Sequence, residues 1–112
     1  AVYEELAAER PDDLDVLIEL GRCQIDLGDP IAARETLRRA VGPAGTDGGG
    51  LAIYGRAVLE AGDPAAAEPI LRRAVALAPH YGAAHFALGS CLGRLGRHAE
   101  AKPHLDAAAR IY

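Results

Sequence analysis

Apolar residues recur in the first part of the chain at intervals of three and four, which is the spacing of one face of an α-helix. Leu14, Leu17 and Leu20 follow this spacing, and the sequence Gly28-Asp29-Pro30 then interrupts it. Glycine ends a helix in the left-handed conformation, aspartate caps the following helix, and proline is tolerated as its first residue. The pattern therefore predicts two helices joined by a tight turn.

This helix pair repeats with a period of 34 residues. The positions that recur are Gly21, Gly55 and Gly89; Gly28, Gly62 and Gly96; Ala33, Ala67 and Ala101; Leu37, Leu71 and Leu105; and Ala40, Ala74 and Ala108. Such a period is typical of a helical solenoid, in which each unit buries its apolar face against its neighbours. We expect one domain over residues 1–112, with repeats at 14–47, 48–81 and 82–112. A partial preceding repeat within 1–13, with a helix from Val2 to Glu9, and the absence of methionine indicate a piece of a longer array.

Small residues at a fixed register predict close packing of the two helices in each unit. A glycine inside a helix costs about 1 kcal/mol relative to alanine, so Gly21 and its counterparts indicate a packing requirement. We expect these glycines, with Ala33 and its counterparts, to let the paired helices approach closely. Leu37 and its counterparts are expected to fill the space between successive units.

Three segments depart from the regular pattern. Pro69 and Pro103 fall inside second helices, where proline removes a backbone hydrogen bond, and they predict a bend or a tightened first turn. The glycine-rich residues 42–50 predict an early end of the helix Asp29–Val41, a new helix near Gly50 and a flexible joint between them. Gly96-Arg97-His98 lacks the aspartate cap, so we expect the third turn to be less stable by about 1 kcal/mol.

Together these residues resemble the tetratricopeptide repeat (TPR) family. The resemblance consists of a 34-residue helix–turn–helix with Leu20-Gly21 in the first helix, Gly28-Asp29 at the turn, and alanine, leucine and alanine in the second helix. It covers essentially the whole chain, although Leu17, Leu51 and His85 stand where the family has an aromatic residue. The resemblance implies an all-α, right-handed superhelical solenoid (an α-α superhelix) whose first helices line a concave groove for peptide or protein segments.

The candidate site is this concave groove. By helical phase, we expect the peptide-binding residues to be Ile18, Arg22, Ile25, Ile53, Arg56, Leu59, Phe86, Ser90 and Arg94. Ile18, Ile53 and Phe86 would form an apolar strip, while Arg22–Asp26 and Arg56–Glu60 would form ion pairs four residues apart. The strip suits an amphipathic helix or an extended apolar segment, with the arginines binding carbonyl groups or acidic side chains. The alternative is that these side chains only pack against adjacent helices.

The resemblance also allows one TPR function to be tested, the clamping of a chaperone's C-terminal carboxylate by Lys, Asn and Arg side chains. The matching positions here are Ile18, Arg22, Ile53, Ala83 and Ala87. Among these side chains, that of Arg22 alone has suitable chemistry. The sequence therefore lacks the carboxylate clamp.

Composition narrows the classes of partner. A net charge of −4 and a pI near 5.5 disfavour nucleic acid and anionic membranes, both of which favour a basic surface. No apolar run approaches the roughly 18 residues of a membrane span, and no signal peptide is visible. Arginine greatly outnumbers lysine and alanine is abundant, which is typical of a GC-rich bacterial genome. The compartment is not indicated, although unpaired cysteines are compatible with the cytoplasm.

Cysteine and histidine do not indicate a metal or redox site. Cys23 and Cys91 lie two repeats apart, on the order of 20 Å from helix packing distances, whereas a disulfide needs Cα atoms within about 7 Å. We expect both to be small core residues. The histidines show no pair four residues apart and there is no CxxC motif, so no metal site is predicted. His85 is expected to replace a core aromatic residue, and His98 to lie at an exposed turn.

The sequence also lacks the signatures of nucleotide binding and catalysis. No Lys-Ser or Lys-Thr follows the glycine-rich segment, and no hydroxyl group has a paired histidine, so we expect no cofactor and no enzymatic activity. An enzyme domain outside this stretch stays open. On the outer surface, Glu35 and Arg39, and Glu68 and Arg72, are expected to form neutralising pairs.

The sequence thus predicts a non-enzymatic protein–protein interaction scaffold that binds a peptide or protein segment of unknown identity in its groove. The alternative is a structural segment of a larger multidomain protein that stacks on its own chain or self-associates, since solenoids need polar caps at their ends.

Overall fold

The computed structural model describes residues 13–42 and 47–111, together with Glu4, Glu5 and Ala8. Within these residues the fold is all-α, as predicted, and contains the helices α1 (Leu14–Asp26), α2 (Pro30–Ala40), α3 (Gly48–Glu60), α4 (Pro64–Leu77), α5 (Gly82–Arg94) and α6 (His98–Ile111). The predicted leading helix Val2–Glu9 lies mostly outside the described residues. Its described positions Glu4, Glu5 and Ala8 are helical.

The helices form three antiparallel pairs stacked in chain order. Each helix packs against the next, and the backbones of α1 and α3, and of α3 and α5, also approach each other. The backbones of the second helices α2, α4 and α6 do not approach one another in this way. The first helices therefore form the inner row of an elongated body measuring 45 × 25 × 24 Å, and the second helices fan apart on its outer side.

Turn chemistry defines the helix ends. Gly28 and Gly62 adopt φ values of +81° and +94°, a conformation that favours glycine, and the aspartate after each caps the next helix. The Asp29 and Asp63 carboxylates accept hydrogen bonds from backbone N–H groups three residues further on, at 3.2 and 3.1 Å. These contacts confirm the predicted stop-and-restart signal in the first two repeats.

The helix α3 begins at Gly48, two residues before Gly50, near which its start was predicted. Asp47 caps this helix by accepting from Gly49 N–H at 3.0 Å. A β-carbon on Gly48 would lie 2.8 Å from the Ala78 side chain and 3.2 Å from the Ala78 backbone nitrogen. Glycine is thus required here by close packing against the end of α4. Residues 43–46 of the predicted joint lie outside the described residues.

The glycines inside the first helices accommodate leucines of their own pair. A β-carbon on Gly21 would lie 2.5 Å from Leu37 Cγ, and one on Gly89 would lie 2.6 Å from Leu105 Cδ2. This confirms the predicted close approach within each pair. Leu37 and Leu71 are fully buried, whereas Leu105 of the last pair described is 38% exposed, which agrees with the expectation that these leucines also fill space between successive units.

Both interior prolines lie within continuous α-helices. Pro69 lies inside α4 and Pro103 inside α6, and each helix is α-helical from its first residue. The predicted tightening of the first turn is therefore wrong, while a bend at either proline stays a prediction.

Candidate functional site

The inner row of helices carries a cleft of about 700 Å³ between α3 and α5. Its lining residues, which we call the α3–α5 cleft, are Arg56, Leu59, Glu60, Ala83, Phe86, Ala87, Ser90 and Arg94. This size falls within the usual range of ligand pockets. Five of the nine predicted groove residues meet here: Arg56, Leu59, Phe86, Ser90 and Arg94.

The floor of the cleft is apolar. Leu59 and Ala87 are 2% and 6% exposed, whereas the large Phe86 side chain is 59% exposed. The position 34 residues before Phe86 is Ala52, which is 4% exposed because it lies between neighbouring inner helices. Phe86 lies on α5, the last inner helix described, and its ring therefore stays exposed where the equivalent Ala52 is covered. This ring is an apolar surface that a ligand can contact.

Two arginines form the cationic rim of the cleft, Arg56 and Arg94. Arg94 is oriented by two hydrogen bonds, from Nη1 to the Leu59 carbonyl at 3.1 Å and from Nη2 to Glu60 Oε1 at 3.3 Å. Arg56 lies 4.0 Å from the Asp26 carboxylate. Both guanidinium groups are about half exposed, so they remain accessible from the groove.

The ion pairs of the groove are not the predicted pairs four residues apart within each helix, and two of them cross between repeats. Arg22 pairs with Glu19 at 3.7 Å instead of Asp26, and Asp26 contacts Arg56 of the next inner helix. Glu60 likewise contacts Arg94 rather than Arg56. Adjacent inner helices pack closely enough that a carboxylate reaches the neighbouring helix, which helical phase within one segment does not reveal.

A smaller depression of about 100 Å³ continues the groove toward α1. It is lined by Arg22, Ala52, Ile53, Arg56, Tyr81, Ala83 and Ala87. Ile53 is 9% exposed and forms part of its floor. Tyr81, which precedes α5, was not predicted from the sequence, because no periodic pattern marks a residue in the connection between helices.

Two predicted groove residues lie elsewhere. Ile25 is 8% exposed and belongs to the hydrophobic core, and Ile18 packs against that core while remaining partly exposed. Neither lines the two depressions. For these two residues the alternative reading, packing against adjacent helices, fits better.

The outer face carries a network of four charged side chains that joins α4 to α6. Arg97 Nη1 lies 2.6 Å from Glu68 and its Nη2 2.8 Å from Glu100, while Arg72 contacts Glu68 at 2.8 Å and Glu100 at 3.1 Å. The hydrogen bond from Arg72, assisted by Arg97, holds the pKa of Glu68 below its ordinary value. Arg97 occupies the turn that lacks an aspartate cap, and its ion pairs join this turn to α4 of the preceding repeat.

The Glu68–Arg72 pair confirms the expectation for the outer face, but the expected partner of Glu35 is wrong. Glu35 binds Arg38 rather than Arg39, through two hydrogen bonds of 2.7 and 3.0 Å. Arg38 binds this carboxylate through Nε and Nη2, which form one edge of its guanidinium group, and these hydrogen bonds hold the pKa of Glu35 below its ordinary value.

Cys91 and His85 lie in the core. Cys91 is fully buried and its thiol donates to the Pro64 carbonyl at 3.1 Å, and burial raises its pKa. Cys23 is only half-buried. His85 is 9% exposed and stacks on His104, with ring centroids 5.5 Å apart. Among the described residues, no group of three or more histidine, cysteine, aspartate or glutamate side chains is placed to hold a metal ion.

The repeat geometry agrees with a sequence profile described as Tetratricopeptide repeat, which matches residues 1–48 and 58–112. The chain belongs to the tetratricopeptide repeat family. The TPR fold is in general a scaffold for protein–protein interaction. No curated protein matches the sequence of this chain.

Solved structures of MamA share the fold. One crystal structure of MamA is 28% identical with a TM-score of 0.83, and the match covers 97% of this chain and 64% of that one. A second crystal structure of MamA protein gives 28% identity, a TM-score of 0.83, and coverages of 97% and 60%. MamA 41-end from Desulfovibrio magneticus RS-1 is 20% identical with a TM-score of 0.84 and coverages of 98% and 62%, a likeness of fold alone.

This TPR chain therefore spans less than two thirds of the length of the MamA chains it matches. The bacterial origin of one of those chains agrees with the bacterial character that the composition indicates. None of the described helices combines the length and apolar character that crossing a membrane requires.

Proposed function

We propose that this TPR domain is a non-enzymatic interaction scaffold that binds a peptide or protein segment in its concave groove. The supporting observation is Phe86, a large aromatic side chain that is 59% exposed inside a cleft of about 700 Å³. Exposed apolar surface within a concave site is typical of a place where a partner binds.

The groove provides complementary chemistry along its length. Ile53 and Leu59 form a buried apolar floor, since they are 9% and 2% exposed. Arg22, Arg56 and Arg94 stand along the groove and are each about half exposed. Guanidinium groups donate hydrogen bonds to carbonyl and carboxylate oxygens, so the groove suits the backbone and acidic side chains of a bound segment.

The test is affinity capture from a lysate of the source organism, with the wild-type domain beside Phe86→Glu and Leu27→Glu variants. Leu27 is 79% exposed at the turn after α1, outside both depressions, so its replacement controls for adding a charge at an exposed apolar position. Circular dichroism establishes that the variants fold. We expect Phe86→Glu to lose a protein that wild type and Leu27→Glu retain. Equal retention by all three proteins would refute the groove as the binding surface.

A second candidate function, stacking on further helices of its own chain or of another copy, is favoured by Leu105. This residue is 38% exposed, whereas its counterparts Leu37 and Leu71 are fully buried. Sedimentation at increasing protein concentration tests self-association. If this function holds, wild type will form larger species and Leu105→Glu will remain monomeric, and concentration-independent monomer mass for wild type would count against it.

A further inference from the structure

The cationic rim has more hydrogen-bond donors than its surroundings use. Each guanidinium group carries five N–H donors. Among the described residues, Arg94 uses two of its nitrogens, toward the Leu59 carbonyl and Glu60. These bonds orient the guanidinium group of Arg94 without saturating it, so donors remain for a ligand that enters the cleft.

Arg56 is held more loosely than Arg94. Its contact with Asp26 measures 4.0 Å, which is longer than a hydrogen bond, and the two side chains are 50% and 64% exposed. An exposed ion pair of this kind contributes little free energy. Arg56 can therefore turn toward a new acceptor at small cost, and its position on the rim places that acceptor over the cleft.

The floor beside the rim accepts an apolar side chain. Ala83 and Ala87 carry small side chains on successive turns of α5, and Phe86 projects its ring next to them. The small residues leave space that a larger side chain of a ligand can fill against the ring. Aromatic and leucine-sized side chains gain most from such a contact, because they bury the largest apolar area.

We propose that the α3–α5 cleft recognises a short segment in which an aromatic or leucine-sized side chain lies beside a carboxylate. The apolar side chain packs against Phe86, and the carboxylate accepts hydrogen bonds from Arg56 and Arg94. This inference rests on the proposed function and names the class of partner. A basic segment is disfavoured, because its cationic side chain would approach the guanidinium groups of Arg56 and Arg94, and the Glu60 carboxylate of the cleft is already paired with Arg94.

Selection of random peptides displayed on phage tests the inference. Peptides are selected on wild-type protein, and each binder is then compared on Phe86→Glu and on an Arg56→Gln, Arg94→Gln double variant. We expect the binders that depend on Phe86 to be enriched in aspartate or glutamate next to an aromatic residue or leucine. We also expect them to be lost on the double variant.

The outcomes separate the two proposals. Phe86-dependent binders without enriched acidic residues, or with enriched lysine and arginine, would overturn the acidic class while the groove stands as a binding surface. A selection whose binders all ignore Phe86→Glu would overturn both.

Fluorescence anisotropy with the consensus peptide gives the matched comparison. Arg94→Gln is expected to weaken binding by about tenfold, because charge-assisted hydrogen bonds to a carboxylate are lost. Arg38→Gln removes an arginine that is paired with Glu35 on the outer face. Because Arg38 does not line the cleft, we expect this variant to change the affinity by less than about twofold. High salt is expected to weaken the wild-type complex. Equal affinities for wild type and Arg94→Gln would refute the proposed contact.

Discussion

Arg97 and Glu68 form an ion pair of 2.6 Å between consecutive repeats, and the residues 34 positions earlier form the same pair with the charges exchanged. There Asp63 stands in the turn and Arg34 on the second helix, with nitrogen and oxygen 3.9 Å apart. The two junctions therefore use one geometry with opposite polarity. If the third repeat followed the first directly, Arg97 would meet Arg34 with like charge, so the exchange disfavours that order of repeats.

Reversing one charge of this pair should destabilise the domain, and reversing both should restore part of the loss. Glu68→Arg brings like charges together near Arg72 and Arg97, and we expect it to lower the free energy of unfolding by about 1 kcal/mol. The double variant Glu68→Arg, Arg97→Asp reproduces the polarity of the first junction. Urea denaturation of both single variants and the double variant measures the coupling, and additive effects would contradict a direct pair.

Acidification should weaken the outer network. The guanidinium groups of Arg72 and Arg97 lower the pKa values of Glu68 and Glu100 in the folded protein from the ordinary 4.5. Carboxylates with lowered pKa values contribute stability that is present above pH 4.5. This stability is lost as the pH falls through their pKa values in the folded protein. Glu68→Gln should therefore be less stable than wild type at neutral pH, with the difference disappearing in acid. A difference that persists in acid, measured by urea denaturation, would argue against this cause.

The glycines of the first helices should respond to alanine according to their surroundings. A β-carbon on Gly55 meets the fully buried Leu71, whereas one on Gly93 meets nothing within 4 Å. Gly55→Ala is expected to cost about 1–3 kcal/mol through overpacking. Gly93→Ala should stabilise the domain by up to about 1 kcal/mol through helix propensity.

The effect of Gly89→Ala on stability should lie between those of Gly55→Ala and Gly93→Ala, because its neighbour Leu105 is 38% exposed and can move outward. Thermal unfolding measures all three variants. Equal effects at Gly55 and Gly93 would show that propensity rather than packing decides.

The stacked histidines should make stability depend on pH near neutrality. His85 Nε2 lies 2.7 Å from the Pro79 carbonyl, which only accepts, so this nitrogen carries the proton. With this nitrogen donating, Nδ1 of His85 is the acceptor in its 3.2 Å contact with His104 Nδ1. Burial, followed by the charges of His85 and Arg72, lowers the pKa of His104 below 6.5, while Glu100 opposes this shift.

The lowered pKa of His104 means that the unfolded chain binds more protons than the folded one below the ordinary value of 6.5. Stability should therefore fall as the pH is lowered from about 7 to about 5. The double variant His85→Leu, His104→Ile introduces the residue types found at the equivalent positions one repeat earlier, Leu51 and Ile70, which are both buried. It should lose this pH dependence in urea denaturation, and an unchanged slope would assign the dependence to other groups.

The groove could be predicted only in part from the sequence. The exposed Phe86 and the arginines of the rim lie in the cleft, because helical phase determines which residues face the inner side. Ile25 was placed on the same face but lies in the core. The width of the inner face depends on how closely α1 approaches α3, and the spacing of residues within one helix contains no information on that distance.

By itself, the amino-acid sequence determined the class of fold, since the 34-residue period and the Gly-Asp-Pro turns act through local backbone chemistry. Left-handed glycine and capping aspartate act within a few residues, so they can be read directly from the chain. The tertiary structure alone decided which charges meet, such as Asp26 with Arg56 and Glu68 with Arg97. It also decided that position 48 requires glycine, because Ala78 approaches too closely to leave room for a side chain. These contacts depend on the distance and rotation between stacked repeats, which the packing of the whole solenoid determines.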